Sequence, residues 1–354
     1  MRKIWMSLIF LFGVVLPAFA EVGVLAVTDE AQHAKKEDFY HTFEYFIAPT
    51  STSKQGSKCQ ATRIARKWFA TAAHCVADVC KNGCEIQLDL LEYNPSALAR
   101  ITHTPQKPRV FVHPDYSPHI FAKNDFALLW IDLDHTPLTY YLRPTGNPPV
   151  RRAITEAEFN AFLAKNRRAK AALTHALHPK IPPLLSFEEG NFVLERNLSV
   201  ISISNGKRAI LQNPHRVYYV KELGFAQTEN FGVVRGMSGS GVMSNTGELV
   251  GIIAGSMERW QGSNVNNMKK ANEYFMFPVF NKSLLDFMKQ TMGSDFDKLD
   301  IKDAYPCCVT KTRRDFSTIV EWVKFVDENS ATGESKMIIL PSKRRAKAKP
   351  KRTQ

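Results

Sequence analysis

Three short segments constrain this chain more than anything else in its 354 residues: Thr71-Ala72-Ala73-His74-Cys75, Asn124-Asp125-Phe126-Ala127-Leu128-Leu129 and Gly236-Met237-Ser238-Gly239-Ser240-Gly241. An alkyl hydroxyl is a poor nucleophile near neutral pH. It needs an imidazole to take its proton and a buried carboxylate to fix the tautomer of that imidazole. His74, Asp125 and Ser238 are residues of those three kinds, so a fold that uses them must bring three distant loops to one point. The local settings agree. Phe126 to Ile131 is a near-continuous apolar run, the mark of a buried strand, and it would bury the carboxylate just before it. Asp132 and Asp134 are the competing carboxylates, but neither precedes such a run. The glycines around Ser238 allow a sharp turn and a close backbone approach.

Short apolar stretches separated by turn residues predict an all-β body. Strand patterns occur at Phe39 to Ile47, around Ile64, Trp68 and Phe69, at Arg109 to Tyr116 and at Phe126 to Ile131, giving a first β unit over about 40–135. Thr155 to His178 differs, with Ala157, Phe159, Phe162, Leu163, Ala169, Ala172, Leu173 and Leu177 at helical spacing. That predicts one amphipathic helix, or two broken near Asn166, ended by Pro179 and Pro182-Pro183. Strands resume at Asn191 to Leu194, Leu198 to Ile203, Arg216 to Val220, Val242-Met243, Leu249 to Ile253 and Tyr274 to Phe280, giving a second unit over about 185–280. Leu284 to Met292 reads as a closing helix. Beyond it, an extension over 293–341 has clear patterns only at Ile319 to Val326 and Met337 to Leu340, and 342–354 reads as a basic disordered tail.

Arg2 and Lys3, the apolar run Ile4 to Leu16 and the small residues of Pro17-Ala18-Phe19-Ala20 read as a secretory signal over 1–20, cleaved after Ala20. The run is shorter than the ~20 residues a spanning helix needs, so the expected mature protein is soluble and secreted or periplasmic. Export gives the six cysteines a meaning, because an oxidising compartment favours disulfides. Cys59 with Cys75 is the best pair, pinning the His74 loop to the preceding strand. The other four, Cys80, Cys84, Cys307 and Cys308, allow three connectivities. A bridge between adjacent Cys307 and Cys308 needs unusual backbone geometry, so links from that pair to Cys80 and Cys84 rank at least level with it. The pairing stays open, and a zinc site is the rival. The formal charge is +13, but Arg2 and Lys3 belong to the signal and seven positive residues lie between Lys343 and Arg352. The basic excess is therefore mostly a solvated tail. It implies weak, salt-sensitive contact with polyanions or a membrane surface and no specific nucleic-acid partner.

The three segments, Val112-His113-Pro114-Asp115-Tyr116 and Val250 to Ile253 give the chain a resemblance to the chymotrypsin-type (trypsin-like) serine proteases, of the kind found among secreted bacterial enzymes, over roughly Gly56 to Met288. The resemblance implies two packed six-stranded antiparallel barrels with the site between them. The protease domain would span 56–292, with a leader over 21–55, a helical insert over about 155–178 and the C-terminal extension. It implies His74, Asp125 and Ser238 as the triad and an oxyanion hole from the backbone N–H groups of Gly236 and Ser238. It brings no cofactor and no metal, and a protein or peptide as substrate. Where trypsins place an Asp six residues before the nucleophile, Gly232 stands here, which argues against simple cleavage after Lys or Arg. Ala254, Gly255 and Ser256 would form one wall of the substrate site, hydrogen-bonding an extended chain as an added strand. Tyr274, Phe275 and Met276 would form the opposite wall, and Arg235 stands at the pocket mouth. Met237 replaces the Asp that pairs with a newly cut N-terminus in animal zymogens, and the expected mature start is Glu21-Val22-Gly23. No insertion switch of that kind is therefore expected.

His113 reads as structural, and His175 with His178 as solvent-facing rather than metal-binding. Asn197-Leu198-Ser199 and Asn281-Lys282-Ser283 are glycosylation sequons. Two other functions fit the same residues: a non-catalytic binding protein on a protease scaffold, and an esterase-type hydrolase of envelope components, for which the basic tail is the support.

Overall fold

The apolar run after Asp125 becomes an interior strand, next to one edge, of a nine-stranded antiparallel sheet. The computed structural model describes residues 41–48, 57–93, 99–103, 107–117, 124–142 and 152–311, less 168–169, 172–173, 175–176, 189, 191, 195–197, 205–206, 213–216, 221–224, 230–232, 234–235, 262–268 and 305–308. The signal, most of the leader, the patterns at Ile319 to Val326 and Met337 to Leu340, and the basic tail lie outside the described residues. Within them, no helix is long and apolar enough to cross a membrane.

The strands of the first unit are β1 (Thr42–Ala48), β2 (Ser57–Arg63), β3 (Trp68–Thr71), β4 (Glu85–Tyr93), β5 (Ala99–His103), β6 (Arg109–Val112), β7 (Ala127–Trp130), β8 (Leu138–Leu142) and β9 (Arg152–Ile154). Their order is β6-β7-β3-β2-β1-β4-β5-β8-β9. Alternation along β3 and β7 sends side chains to two different places, as the two-residue period of a strand requires. Phe69, Ala127 and Leu129 enter the core of the first unit with Phe43, Ile86 and Leu88. Trp68, Ala70 and Leu128, with Phe126 just before β7, enter a second cluster with Leu184, Ile201, Met243, Leu249 and Ile252 from the second unit. This is why the run is apolar throughout: both of its faces are buried.

The second unit contains β10 (Leu184–Ser186), β11 (Phe192–Leu194), β12 (Ser199–Ser204), β13 (Lys207–Gln212), β14 (Val217–Val220), β15 (Phe225–Glu229), β16 (Gly241–Met243), β17 (Leu249–Ile252), β18 (Gly255–Gln261), β19 (Lys269–Phe277), β20 (Ile301–Asp303) and β21 (Val309–Lys311). They form two six-stranded sheets, β13-β12-β16-β17-β10-β20 and β18-β19-β15-β14-β11-β21. Phe192, Val217, Ala226, Val242, Phe275 and Phe277 are among the side chains packed between them. The architecture is mostly β with few helices, consistent with a chymotrypsin fold, and the hydrogen-bonded order closes none of the three sheets on itself. Nor is every pairing antiparallel, because β10 runs parallel to both β17 and β20.

The helical insert begins with α1 (Glu156–Lys165), where Thr155 and Glu158 form a reciprocal capping box. Phe159 and Leu163, four apart on one face, bury against the first unit, and Phe159 stacks on Tyr140 with ring centroids 4.7 Å apart. The helix ends at Asn166, and helical bonds resume with Lys170 N–H to Asn166 O and His178 N–H to Thr174 O. The two-piece reading of this stretch is thus the one that fits. Buried Arg63 ties it down by donating to the carbonyls of Arg66 and Leu177.

The closing helix α2 (Lys282–Met292) is capped by Asn281, whose side chain accepts from Leu284 N–H and donates to Tyr219 Oη at 2.9 Å. Both ends of that amide are engaged, so this sequon is a structural cap. Leu284, Met288 and Met292 enter the cluster between the units. The segment after Met292 is not a loose appendage. Gly293, at φ 57°, ends the helix, 3₁₀ turns follow over Gly293–Lys298, and β20 and β21 each add an edge to a sheet of the second unit. Three-residue strands are too short for a periodicity to be visible, which is why the sequence did not announce them.

Candidate active site

The base side of the site rests on covalent and electrostatic ties. His74 sits in a single 3₁₀ turn, Ala73–Cys75, between buried Ala73 and buried Cys75, and Cys75 is bonded to Cys59 on β2. Asp125 reaches it from a tight turn in which Phe126 N–H bonds Asn124 O at 2.7 Å. That turn needs φ +49° at Asn124, a left-handed conformation asparagine tolerates better than most residues. Asp125 then grips His74 twice: Oδ1 accepts the His74 backbone N–H at 2.8 Å and Oδ2 lies 2.7 Å from Nδ1. The carboxylate side chain is 6% exposed and the imidazole 41%, so the pair is buried at its acid end and open at the other. This geometry places the proton on Nδ1 and leaves Nε2 as the acceptor. Asp132 and Asp134 are elsewhere, paired with Lys67 and Arg66. Beside Asp125, burial first and then the charges of Asp125 and Asp78 push the Tyr116 phenol up to about 12, so it stays neutral.

Ser238 is held by the first unit. Its carbonyl accepts the Gln60 N–H of β2 at 2.7 Å, and the Gly239 carbonyl accepts Thr62 Oγ1 at 3.0 Å. Gly239, at φ +91°, lies so close to β2 that a Cβ there would be 1.5 Å from Gln60 O. The loop is closed from within by Ser240 N–H to Met237 O (3.0 Å). Met237 is buried in the core of the second unit with Val233 and Ile253. The position that holds an ion-paired Asp in animal zymogens is here filled by an apolar anchor. The Ser238 hydroxyl points to the Ala254 carbonyl at 3.5 Å, and no hydrogen bond joins it to His74 among the described residues. Cys75 Sγ lies 3.6 Å from Nε2. That sulfur is spent in the disulfide, so Cys59, His74 and Cys75 do not make a metal site.

Ala254 and Gly255 continue directly from the Ile253 backbone, which bonds the Ser238 loop in both directions. β18, which carries Gly255 and Ser256, is the edge strand of its sheet, with one backbone side unpaired by strands among the described residues. Its other side pairs with β19 in register Gly255↔Met276, Ser256↔Phe275 and Met257↔Tyr274. Phe275 and Met276 are buried. The two segments are therefore neighbouring strands of one sheet and not facing walls, because a hairpin-like pairing holds them side by side. Gly232 and Arg235 lie outside the described residues, as do His175, Asn197, Cys307 and Cys308. His178 is exposed.

Of the connectivities left open for the other four cysteines, the structure shows the one that pairs Cys80 with Cys84. Cys80 and Cys84 bond each other, because Gly83 at φ +89° and its N–H to Cys80 O fold that turn until the two Cα atoms are 4.7 Å apart. The same bond removes two of the thiols on which a zinc site would depend.

Gln60, Thr62, Ser202 and Ser240, which form the buried polar contact behind the nucleophile loop, were not legible as site residues. Each is an isolated polar residue in a strand or loop, and only the adjacency of Gln60 to Cys59 hinted at its place.

The family model for trypsin matches residues 35–157. Over those residues the match supports a chymotrypsin-type, trypsin-like serine protease. The match contains His74 and Asp125 and ends before Ser238. No curated protein matches the chain.

Proposed function

We propose that this protein is a serine endopeptidase, secreted or periplasmic, that hydrolyses peptide bonds through His74, Asp125 and Ser238. The observation that carries the reading is the double grip of buried Asp125 on His74, at 2.7 and 2.8 Å, which leaves Nε2 free to accept a proton. On substrate binding, the Ser238 hydroxyl turns from Ala254 O toward Nε2. Oγ attacks the scissile carbonyl as its proton passes to His74, and the new oxyanion is met by the N–H groups of Gly236 and Ser238. His74 returns the proton to the leaving amine, giving an acyl-enzyme. Water, activated by the same imidazole, then releases the acid and restores Ser238. The triad would lie between two packed barrels, and the open edge at Gly255 and Ser256 supports binding of an extended peptide as an added strand. The buried Met237 supports an oxyanion loop formed without insertion of a cut N-terminus.

The orientation of Ser238 toward Ala254 is what favours a second reading, a binding protein on a protease scaffold. A fluorophosphonate probe decides between them. Labelling of the exported protein, lost in Ser238→Ala and His74→Ala, is the expected result; a folded protein that takes no label sinks the endopeptidase reading. An ester panel run beside a peptide library then separates peptidase from esterase.

A further inference from the structure

Gln60 is fully buried, and every end of its amide is used on the nucleophile loop or the strand behind it. Oε1 accepts from Ser240 Oγ at 2.8 Å, and Ser202 Oγ lies 2.9 Å from Nε2 and 3.1 Å from Oε1. Nε2 donates to the Gly236 carbonyl at 3.2 Å. A carbonyl can only accept, so the contact with Gly236 fixes which end of the amide is nitrogen. The backbone of the same residue donates to Ser238 O at 2.7 Å and accepts Thr71 Oγ1 at 2.8 Å. One residue of β2 thus touches Gly236, Ser238 and Ser240, and through Thr71 the segment that leads to His74.

Gly236 is loosely packed beside Gly239 and Gly241: it lies at φ +94°, and nothing stands within 4 Å of the place a Cβ would occupy. Packing at that position does not hold the backbone, whereas the bond from Gln60 ties the peptide that follows Gly236. We infer that Gln60 is a positioning residue, which holds the nucleophile loop on both sides of Ser238, at the Gly236 carbonyl and at Ser240 Oγ, and so fixes the backbone that carries the oxyanion-binding N–H groups. This rests on the serine-hydrolase reading above. Gln60 touches no reacting atom and acts through the loop.

The test is phosphonylation of Ser238 by a fluorophosphonate. In that reaction the Oγ–P bond forms, the P–F bond breaks, the hydroxyl proton passes to His74 and fluoride leaves. The phosphoryl oxygen must be met by the same N–H groups as a carbonyl oxygen. Gln60→Leu removes all the side-chain contacts. Gln60→Glu keeps acceptors for Ser202 and Ser240 but, ionised, cannot donate to Gly236 O. Each is compared with wild type by the limiting inactivation rate, the probe's half-saturating concentration and the urea midpoint. Loss of a whole oxyanion donor costs about 100- to 1,000-fold in rate, so a misplaced donor should cost about 10- to 100-fold. The expected result is that loss in the limiting rate, with half-saturation unchanged, in Gln60→Glu as well as in Gln60→Leu. A folded variant that reacts at the wild-type limiting rate overturns the inference and leaves the serine-hydrolase reading standing. Failure of both variants to fold also overturns it, since Gln60 would then be architectural only. A folded wild type that takes no label overturns both.

Discussion

The two sides of the site are built by different means. His74 and Asp125 come from one unit and are fixed by strong local ties: a disulfide to β2, a tight turn at Asn124 and two hydrogen bonds to one buried carboxylate. Ser238 comes from the other unit and is held by close approach. Gly239 lies on the backbone of β2, Met237 is sunk in an apolar core, and Gln60 reaches across. The lesson is that β2 is the common reference. Its Cys59 holds the histidine turn and its next residue holds the nucleophile loop, so the register of the two units is set along two consecutive residues. The two sides should then fail differently: the base side through electronic state, the nucleophile side through shape.

Asp125→Asn should show the largest effect and confine it to chemistry. An amide has one oxygen, so it cannot accept both His74 N–H groups, and its NH₂ favours the tautomer with the proton on Nε2. We predict a fall of about 10⁴ in kcat, with the fold retained. A rate within tenfold of wild type on any cleaved peptide would remove Asp125 from the mechanism.

Gly239→Ala attacks the other side. Its Cβ would need the space of the Gln60 carbonyl, and backbone cannot step aside as a side-chain tip can. The predicted cost is more than about 3 kcal/mol of stability, with fluorophosphonate labelling lost together with native near-ultraviolet circular dichroism. Wild-type labelling in this variant would mean that the loop is not keyed to β2.

Sequence patterns located the base side better than the nucleophile side. Asp125 could be chosen over Asp132 and Asp134 because one buried run follows it, and Cys59 could be paired with Cys75 because a bonded turn beside a functional histidine has obvious use. Gln60 and Ser240 could not be found, since their value depends on which strands meet across the two units. The pairing of Cys80 with Cys84 could not be chosen among the open connectivities for a related reason. Whether four residues bend back on themselves depends on one glycine's positive φ, which leaves no periodic trace. Strands β1, β7 and β12 were legible as apolar patterns and the two helices through apolar spacing, while β4, β13 and β18 were not, and β20 and β21 join existing sheets with only three residues each.

Those two disulfides give the next contrast. Removing the bridge as Cys59→Ala with Cys75→Ala opens a loop of sequence separation 16, with a predicted loss of about 3 kcal/mol from chain entropy. Because that bridge holds the histidine turn, turnover should fall as well. Cys80→Ala with Cys84→Ala opens a loop of separation 4, for which the same relation gives about 2 kcal/mol. Its labelling rate should stay near wild type. Urea midpoints and labelling rates of the two double variants measure this directly. Equal loss of rate in both would show that the second turn also supports the site.

The smallest predicted effect compares two histidines of the first unit with opposite tautomers. His74 presents Nδ1 to a carboxylate as donor. At His113, Nδ1 instead accepts the Asp115 N–H at 3.2 Å, while the ring makes a hydrogen bond to the Ser283 backbone and packs 5.0 Å from Phe287 of α2. Burial holds the His113 pKa below its ordinary 6.5, against the opposing pull of the Asp115 charge and the Ser283 bond. The unfolded chain therefore binds this proton at higher pH than the folded one, so folding stability rises with pH across the window between the two values. The contribution is fully present above about pH 6.5 and is lost as pH falls through the depressed folded value. A proton on Nδ1 would confront the Asp115 N–H and loosen the seat of α2. Urea midpoints of wild type should decline from pH 7.5 to 5.5 more steeply than those of His113→Gln, which cannot titrate there. Parallel slopes would show that the docking of α2 does not depend on a neutral His113.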